Sequence, residues 1–453
     1  MSLPKSEVYT RLFGTDGVRG VAGRFPLDTH TIDRLSAALI KALPKGGTSP
    51  RVLIGRDTRE SGGWIEATLA HGATGEGATV TSAGVVPTPA VAYLTRTEGF
   101  DIGIVVSASH NPFEDNGIKV FSGRGEKFTE KVEREVEGLM SDPSWTTTPG
   151  ELEPLSNPDL VKHYLEHLRA VFPERDGLRG FKLAIDCANG ATTPVARDVF
   201  EGLGIGVTLL GDRPNGRNIN LDCGSTHPEG LAETVVREQC QMGVAFDGDG
   251  DRAIFADERG NIVNGDAVLL MCARQLQQEG RLKGGAIVAT VMSNIGLEIA
   301  LKRHGIGLVR CAVGDKYVME EMLARDLSLG GEQSGHVIFA DYLFTGDGLC
   351  TALNVLRTVA LTGRSLGDLA SDLVSYPQVL LNVRVREKVD LATVPQIADV
   401  MARVQNQVAD QGRLLVRYSG TEPLLRVMLE GQDESQIRTW AQDIIDAVKT
   451  HLG

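Results

Sequence analysis

One arrangement recurs three times along the chain and limits its fold more than any other feature. "RVLIGRDTRESGGWIEATLAHGATGEGATVTSAGVVPTPA" begins at Arg51 with a short β-branched run, then a turn-rich segment, a helical stretch, glycines and a second apolar run. "KLAIDCANGATTPVARDVFEGLGIGVTLLGDRPNG" from Lys182 keeps that order, and so does "AIVATVMSNIGLEIALKRHGIGLVRCAVGDKYV" from Ala286. In each, the helix is expected to stop at a glycine: Gly75, Gly202 or Gly305. Strand, helix, strand at this spacing reads as a βαβ unit, which requires parallel pairing and an α/β layer. Three unrelated βαβ units would leave the same trace. The loops behind the repeats argue for repeated domains, because each is unusual: "SASHNP", "DGDGDR" and "GEQSGH".

The last ~80 residues break the pattern. "VLLNVRVRE" alternates as a strand, 393–411 is helical, "GRLLVRYSGTEPLLRVMLEG" reads as two strands around a turn, and a helix closes the chain over 433–451. The fold class is therefore α/β, with three repeated mixed α/β domains plus a small C-terminal α+β domain, and the three unusual loops suggest a shared central cleft between domains. The segment 141–160, rich in Pro, Ser and Thr, reads as a linker. Domains are expected at 1–150, 151–256, 257–372 and 373–453. Ligand sites often lie between domains, so the three loops are expected to share the cleft.

A net charge of −13 argues against a nucleic-acid surface, which needs clustered positive charge. Cations for an anionic ligand must then be gathered in a pocket. The N-terminus lacks an apolar signal core, and no run approaches the ~20 residues of a membrane span. A cytoplasmic protein is expected. The six cysteines, Cys187, Cys223, Cys240, Cys272, Cys311 and Cys350, have no C-x-x-C pair and read as buried thiols.

"GVAFDGDGDRAIFAD" places Asp247, Asp249 and Asp251 at alternate positions. A regular strand would hold them too far apart for one small cation. Gly248 and Gly250 allow a curled backbone on which three oxygens converge on magnesium. An EF-hand loop competes, since Glu258 falls at its twelfth position. Its sixth position is Arg252 rather than glycine, however, and its flanks look like strands. A solvated acidic turn is the other alternative. "RYSGTEPLLR" offers Arg417, Ser419, Gly420, Thr421 and Arg426, either an anion nest with arginine clamps or an ordinary hairpin turn. "GGEQSGHVIF" brings Glu332 and Ser334, suited to sugar hydroxyls, and His336, either a general acid or base or a structural histidine.

In "VVSASHNPFEDNGIKVF", Ser107 and Ser109 stand just before His110. A hydrolytic dyad is disfavoured there. Adjacent residues of an extended chain point to opposite faces, and no G-x-S-x-G elbow is present. A serine that carries a phosphoryl group needs instead a divalent metal, positive charge and a second phosphate site, and the chain offers all three.

Together, "SASHNP", "DGDGDR", "GEQSGH" and "RYSGTEPLLR", in that order, resemble the α-D-phosphohexomutase superfamily over essentially the whole chain. "RLFGTDGVRG", "RPNGRNIN", "CGSTHPEGL" and Gln333 point more closely to its bacterial glucosamine-phosphate branch, with the phosphomannomutase/phosphoglucomutase branch as the alternative. The resemblance implies a phosphoserine at Ser109 and reversible conversion of glucosamine 6-phosphate to glucosamine 1-phosphate through a 1,6-bisphosphate, supplying UDP-N-acetylglucosamine synthesis. It implies one Mg2+ on Asp247, Asp249, Asp251 and a phosphate oxygen of Ser109. Arg19 and Arg252 would support that phosphate; Arg417, Ser419, Gly420, Thr421 and Arg426 the non-reacting one; Glu332 and Ser334 the sugar ring. Lys119 and His336 are the candidates for proton transfer, and His110 orients the serine or its phosphate. A hexose 1,6-bisphosphate activator, a mobile fourth domain and a homodimer complete the expectation, with a phosphosugar and neither nucleic acid nor membrane as partner.

Overall fold

A computed structural model describes residues 11–44, 48–172, 178, 180–409, 412–419 and 423–453. The chain divides into two compact units, Met1–Met292 with Ile306–Asp372, and Ser293–Gly305 with Leu373–Gly453.

The larger unit is built on three sheets. The first holds β1 (Val18–Val21), β2 (Arg51–Arg56), β3 (Thr79–Val85), β4 (Ile102–Val106), β5 (Asp115–Ser122) and β6 (Leu155–Ser156), in the spatial order β1-β5-β4-β2-β3-β6. The second holds β7 (Lys182–Asp186), β8 (Gly206–Leu210), β9 (Met242–Phe246), β10 (Ala253–Asp257) and β11 (Ile262–Val263), ordered β11-β10-β9-β7-β8. The third holds β12 (Ala286–Thr290), β13 (Gly307–Cys311), β14 (Leu329–Gly331) and β15 (Val337–Phe339), ordered β13-β12-β14-β15.

Each expected βαβ unit is a parallel pair: β2 with β3, β7 with β8, and β12 with β13. The strand that follows each pair, β4, β9 or β14, lies parallel to the first strand of that pair on its other side and then turns back into an antiparallel partner. The chemistry-bearing loops are those three turns, between β4 and β5, β9 and β10, and β14 and β15. The central strands β4 (IGIVV) and β9 (MGVAF) are buried along their whole length, as strands covered on both faces must be. In the first sheet, Ile32, Leu35 and Leu39 of the helix Thr29–Lys41 pack in one core with Val52, Ile54, Ile102 and Ile104. Each such side chain contributes about 1.5–3 kcal/mol by leaving water. That rigid floor fixes where β4 ends and the serine loop begins.

The helices end as expected: Gly75 is the last residue of Gly62–Gly75, Gly202 caps Ala196–Glu201, and Gly305 (φ +68) follows the cap of Ile295–Arg303, although the left-handed residues after the first two are Gly77 (φ +84) and Gly204 (φ +78). Gly75 is small for another reason. A Cβ there would lie 2.0 Å from the carbonyl oxygen of Thr148. The same contact corrects the linker: residues 148–156 dock on the first domain, and β6 adds to the sheet beside β3. A polar composition signalled an irregular path, not a detached one.

The smaller unit carries β16 (Gln378–Arg384), β17 (Arg413–Tyr418) and β18 (Leu424–Glu430), antiparallel in the order β16-β18-β17. Helices Pro395–Val408 and Glu434–Leu452 cover it through Ile397, Val404, Ile437 and Ile444, so the expected α+β fold is present.

Gly75→Ala is expected to cost about 1–3 kcal/mol, because the extra methyl meets backbone that cannot rotate away. Thermal unfolding would read that loss, and hydrogen exchange would quicken at 148–156 while the sheet interior stays protected.

Candidate active site

The serine loop leaves β4 and turns sharply. Ser109 takes a left-handed backbone (φ +54) and is almost fully buried. Its Oγ lies in hydrogen-bond contact with Asp247 Oδ2 and 3.2 Å from His110 Nδ1. This corrects the geometry argued against a dyad: the chain is not extended here, and serine and histidine do touch. The hydroxyl has one proton, and Asp247 takes it in the shorter contact. Burial, then the positive charges of Arg252 and Arg19, push the His110 pKa down to about 4. His110 is therefore neutral near pH 7.

Ser107 is scaffold. Its Oγ donates to Asp57 Oδ2 at 2.5 Å and accepts the Ser109 N–H at 2.9 Å. The fully buried Arg59 pairs with Asp57 through Nε at 2.9 Å. Neither Asp57 nor Arg59 was singled out from sequence, although "GRDTR" opens the first repeat at the end of β2.

The aspartate loop curls as its glycines allow. Asp247, Asp249 and Asp251 are each at most 3 % exposed, and one oxygen from each lies within 4.8 Å of the others. Asp249 Oδ1 and Asp251 Oδ1 are buried with no hydrogen-bond partner. Three converging carboxylates with orphaned oxygens fit a hard divalent cation. The EF-hand alternative fails, since Glu258 accepts hydrogen bonds from Ser365 and Gly367, beyond β10. Gly248 has no room for a side chain, because a Cβ would lie 2.5 Å from the Ser109 carbonyl oxygen.

Lys119, on β5, is the main counter-charge. Its Nζ lies 2.7 Å from Asp249, 3.1 Å from Asp251 and 3.0 Å from Asp16. Burial opposes the ammonium, but Asp16, Asp249 and Asp251 overcome that and raise its pKa well above the ordinary value. For Asp247, burial followed by the charges of Asp251 and Asp249 raises the pKa well above the carboxylate range. For Asp251, burial is outweighed by Lys119 and His336, which hold it well below that range. Thr88 supports the loop from outside, donating to Asp249 Oδ2 at 2.6 Å.

Arg19 contacts Asp16 and donates to the Ala108 carbonyl at 3.3 Å. The Arg252 N–H donates to Asp247 Oδ1 at 3.2 Å, while its buried Nε has no hydrogen-bond partner. Arg252 also pairs with His336 as an isolated antiparallel bridge, which joins the aspartate and sugar loops. His336 is buried, with Nδ1 3.6 Å from Asp251 Oδ1 and Nε2 3.6 Å from Asp315 Oδ2. Two influences compete at its ring. Burial disfavours the imidazolium, yet Asp251, Asp315 and Glu332 raise the pKa; the Gly346 N–H, 3.0 Å from Nε2, requires a lone pair there. That hydrogen bond places the ring proton on Nδ1, facing Asp251.

Glu332 Oε1 accepts from Gly314 N at 3.2 Å, and the exposed Ser334 lies 3.4 Å from Oε2. Arg19, His110, Asp251, Arg252, Glu332 and His336 line one cavity of ≈ 450 Å³, with Asp16 and Asp315. Asp16 and Asp315 were missed from sequence. The "GTDG" turn and the first residue of the helix Asp315–Arg325 carry no signal that separates them from ordinary turn and cap acids.

In the smaller unit, Arg417 and Arg426 are direct cross-strand partners on β17 and β18. Like charges so placed repel unless an anion or another group neutralises them. The Ser419 N–H bonds the Leu424 carbonyl at 2.8 Å and its own carbonyl accepts from Lys388 at 2.6 Å. Gly420 and Thr421 lie outside the described residues. Five cysteines are buried and Cys223 is partly so, all six as free thiols. Among the described residues no helix is long and apolar enough to cross a membrane.

Comparison with known proteins places this geometry. The phosphoglucomutase/phosphomannomutase family matches along the chain: α/β/α domain I at 10–146, domain II at 162–260, domain III at 264–376 and the C-terminal domain at 380–447. A phosphoglucosamine mutase of Solibacter usitatus (strain Ellin6076) is 48 % identical over 446 residues, 98 % of this chain and 99 % of that one. Another, of Koribacter versatilis (strain Ellin345), is 47 % identical over 463 residues and covers 100 % of both. A phosphoglucomutase/phosphomannomutase family protein from Burkholderia thailandensis superposes with a TM-score of 0.80 at 25 % identity, over 97 % of each chain. The Aspergillus fumigatus N-acetylphosphoglucosamine mutase, solved with GlcNAc-6P and magnesium, shares the fold (TM-score 0.66, 17 % identical, 97 % of this chain and 95 % of that one). With all four domains matched in order, and relatives similar from end to end, the chain belongs to the phosphoglucomutase/phosphomannomutase family of intramolecular phosphotransferases.

Proposed function

We propose that this enzyme interconverts glucosamine 6-phosphate and glucosamine 1-phosphate by a phosphoryl relay on Ser109. The observation that carries the relay is the buried Ser109 hydroxyl against Asp247, at the head of three carboxylates with orphaned oxygens. The sugar choice rests on end-to-end likeness to proteins named phosphoglucosamine mutase. Conversion of mannose or glucose phosphates is the second reading, supported by the family's own name.

In the first step, O1 of the sugar 6-phosphate attacks phosphoserine 109. The O1–P bond forms as the Oγ–P bond breaks, O1 gives up its proton and Oγ gains one. The bisphosphate turns around, Ser109 Oγ gives up its proton and attacks the 6-phosphoryl group, the O6–P bond breaks as O6 takes a proton, and the sugar 1-phosphate leaves. Mg2+, when bound by Asp247, Asp249, Asp251 and a phosphoryl oxygen, offsets the charge of the group in transfer. Positioning does most of the rest. Arg252, whose Nε makes no hydrogen bond and faces Asp251 Oδ1 at 3.8 Å, and Arg19 supply positive charge at the reacting phosphoryl. Lys119, held as an ammonium by its carboxylates, suits the donor side of proton transfer, and His336 remains the candidate for the other. His110, neutral and beside Oγ, orients the serine.

Glu332 and Ser334 hold sugar hydroxyls, and the Arg417–Arg426 pair with Ser419, Gly420 and Thr421 takes the non-reacting phosphate. From the resemblance we also infer a hexose 1,6-bisphosphate activator that loads Ser109, a homodimer, a cytoplasmic location, and domains at 1–150, 151–256, 257–372 and 373–453.

Assayed side by side, glucosamine 6-phosphate should be converted faster than glucose or mannose 6-phosphate; the reverse order would select the second reading. Intact mass should show a population heavier by one phosphate, absent in Ser109→Ala along with activity. Activity that survives this substitution would rule out the relay. Thr88→Val leaves the three aspartates in place but loosens Asp249, so half-saturation by Mg2+ should rise roughly 10–100-fold. Full activity should return at high Mg2+.

A further inference from the structure

The Ser109 turn is held from two sides by groups that touch neither the hydroxyl nor the cavity. Arg59 Nη2 donates to the carbonyl oxygens of Ser109 at 2.9 Å and Asn111 at 2.8 Å. Asn220 Nδ2 donates to the same two oxygens, at 2.9 and 3.2 Å. Arg59 follows β2 in the first sheet's domain, whereas Asn220 belongs to the loop after β8 in the second. Each carbonyl is thus shared between donors from two different domains.

Asn220 is itself fixed in an unusual posture. It is 8 % exposed, its backbone is left-handed (φ +57), and its N–H donates to the Ala188 carbonyl at 2.9 Å. Ala188 and Asn189 are left-handed too, at φ +53 and +48. Non-glycine residues avoid this region, so a run of them marks a loop shaped for a purpose other than its own stability. Gly248 lies in the same knot, for a Cβ there would meet Asn220 Nδ2 at 2.8 Å as well as the Ser109 carbonyl. Asn220 therefore stands where the serine turn and the aspartate loop meet.

We infer that Asn220, acting with Arg59, is a positioning residue of the phosphoryl relay: it sets the distance between Ser109 and the aspartate loop. This inference rests on the relay through Ser109. The need is physical. Ser109 alternates between a hydroxyl and a phosphate dianion beside three buried aspartates, and each change would pull or push a turn anchored only by its own chain. Neutral and cationic N–H donors on the two carbonyls resist that movement without adding charge at the reacting oxygen. Because one donor comes from the second domain, the nucleophile is indexed to the metal ligands and not merely to its own sheet.

The test uses the full chain, with Asn220→Ala, Asn220→Asp and, as a control, Asn218→Ala. Aspartate tolerates a left-handed backbone and keeps the shape, but turns oxygens instead of a donor toward the carbonyls. Asn218 stiffens the same loop, accepting from Asn215 N at 2.8 Å and donating to the Arg213 carbonyl at 3.0 Å, and does not contact the serine turn. Measurements are kcat and KM for glucosamine 6-phosphate, and the rate at which glucose 1,6-bisphosphate loads Ser109, read by intact mass. In both Asn220 variants kcat and the loading rate should fall roughly 100-fold, as expected for a nucleophile displaced by about an ångström, with KM unchanged. Asn218→Ala should keep the wild-type values. Wild-type rates in Asn220→Asp, or an equal loss in Asn218→Ala, would overturn the positioning role. A wild-type protein that takes no phosphoryl group on Ser109 would instead overturn the relay itself.

Discussion

Everything in the larger unit's site follows from gathering carboxylates inside protein. Asp247, Asp249 and Asp251 are almost fully buried, and the partly buried Asp16 joins them through Lys119. An ion buried without compensation costs several kcal/mol. Lys119 meets that cost with three ion pairs, Lys127 contacts Asp16 and Asp315, and Arg19 and Arg252 close the remaining sides. Asp247 is least compensated, and its raised pKa shows it. It is also the one that holds the serine. The electrostatic weak point and the proposed nucleophile coincide, which is where the proposed divalent ion has most to offset.

That arrangement explains why the loops come from three sheets. One strand cannot converge its own side chains, since neighbours diverge to opposite faces. Convergence requires several chain reversals pointed at one place, and three hairpin turns provide them. The Arg252–His336 bridge and the hydrogen bonds from Asn220 then lock loop to loop. Side chains that reach no reacting atom, such as Thr88, Asp57 and Arg59, complete the support from beneath.

Much of this was legible in the sequence because it is local. Parallel pairing within each repeat follows from period and spacing, and the aspartates announce themselves by alternating with glycines. What stayed hidden depends on distance along the chain. Arg59 and Ser109 are 50 residues apart and Asn220 is 111 from Ser109, so only the fold brings them together. The Ser109–His110 contact was misjudged for the opposite reason: it is local, but set by a left-handed residue that no propensity favours in serine. Residues 141–160 read as irregular, but proline and threonine do not say what such backbone lies against. The β6 pairing and a carbonyl 2.0 Å from a glycine Cβ position reveal that.

The three loops occupy the same topological address, the turns that follow β4, β9 and β14. Strands there bear the folding load, while the turns carry the proposed chemistry. Change can then be confined to a turn: on the proposed reading, substitutions at Glu332 or Ser334 between β14 and β15 retune which sugar is accepted, whereas His336 in the same turn faces Asp251 and ties that turn to the aspartate loop. A family built this way can diversify its substrates while its reaction stands still.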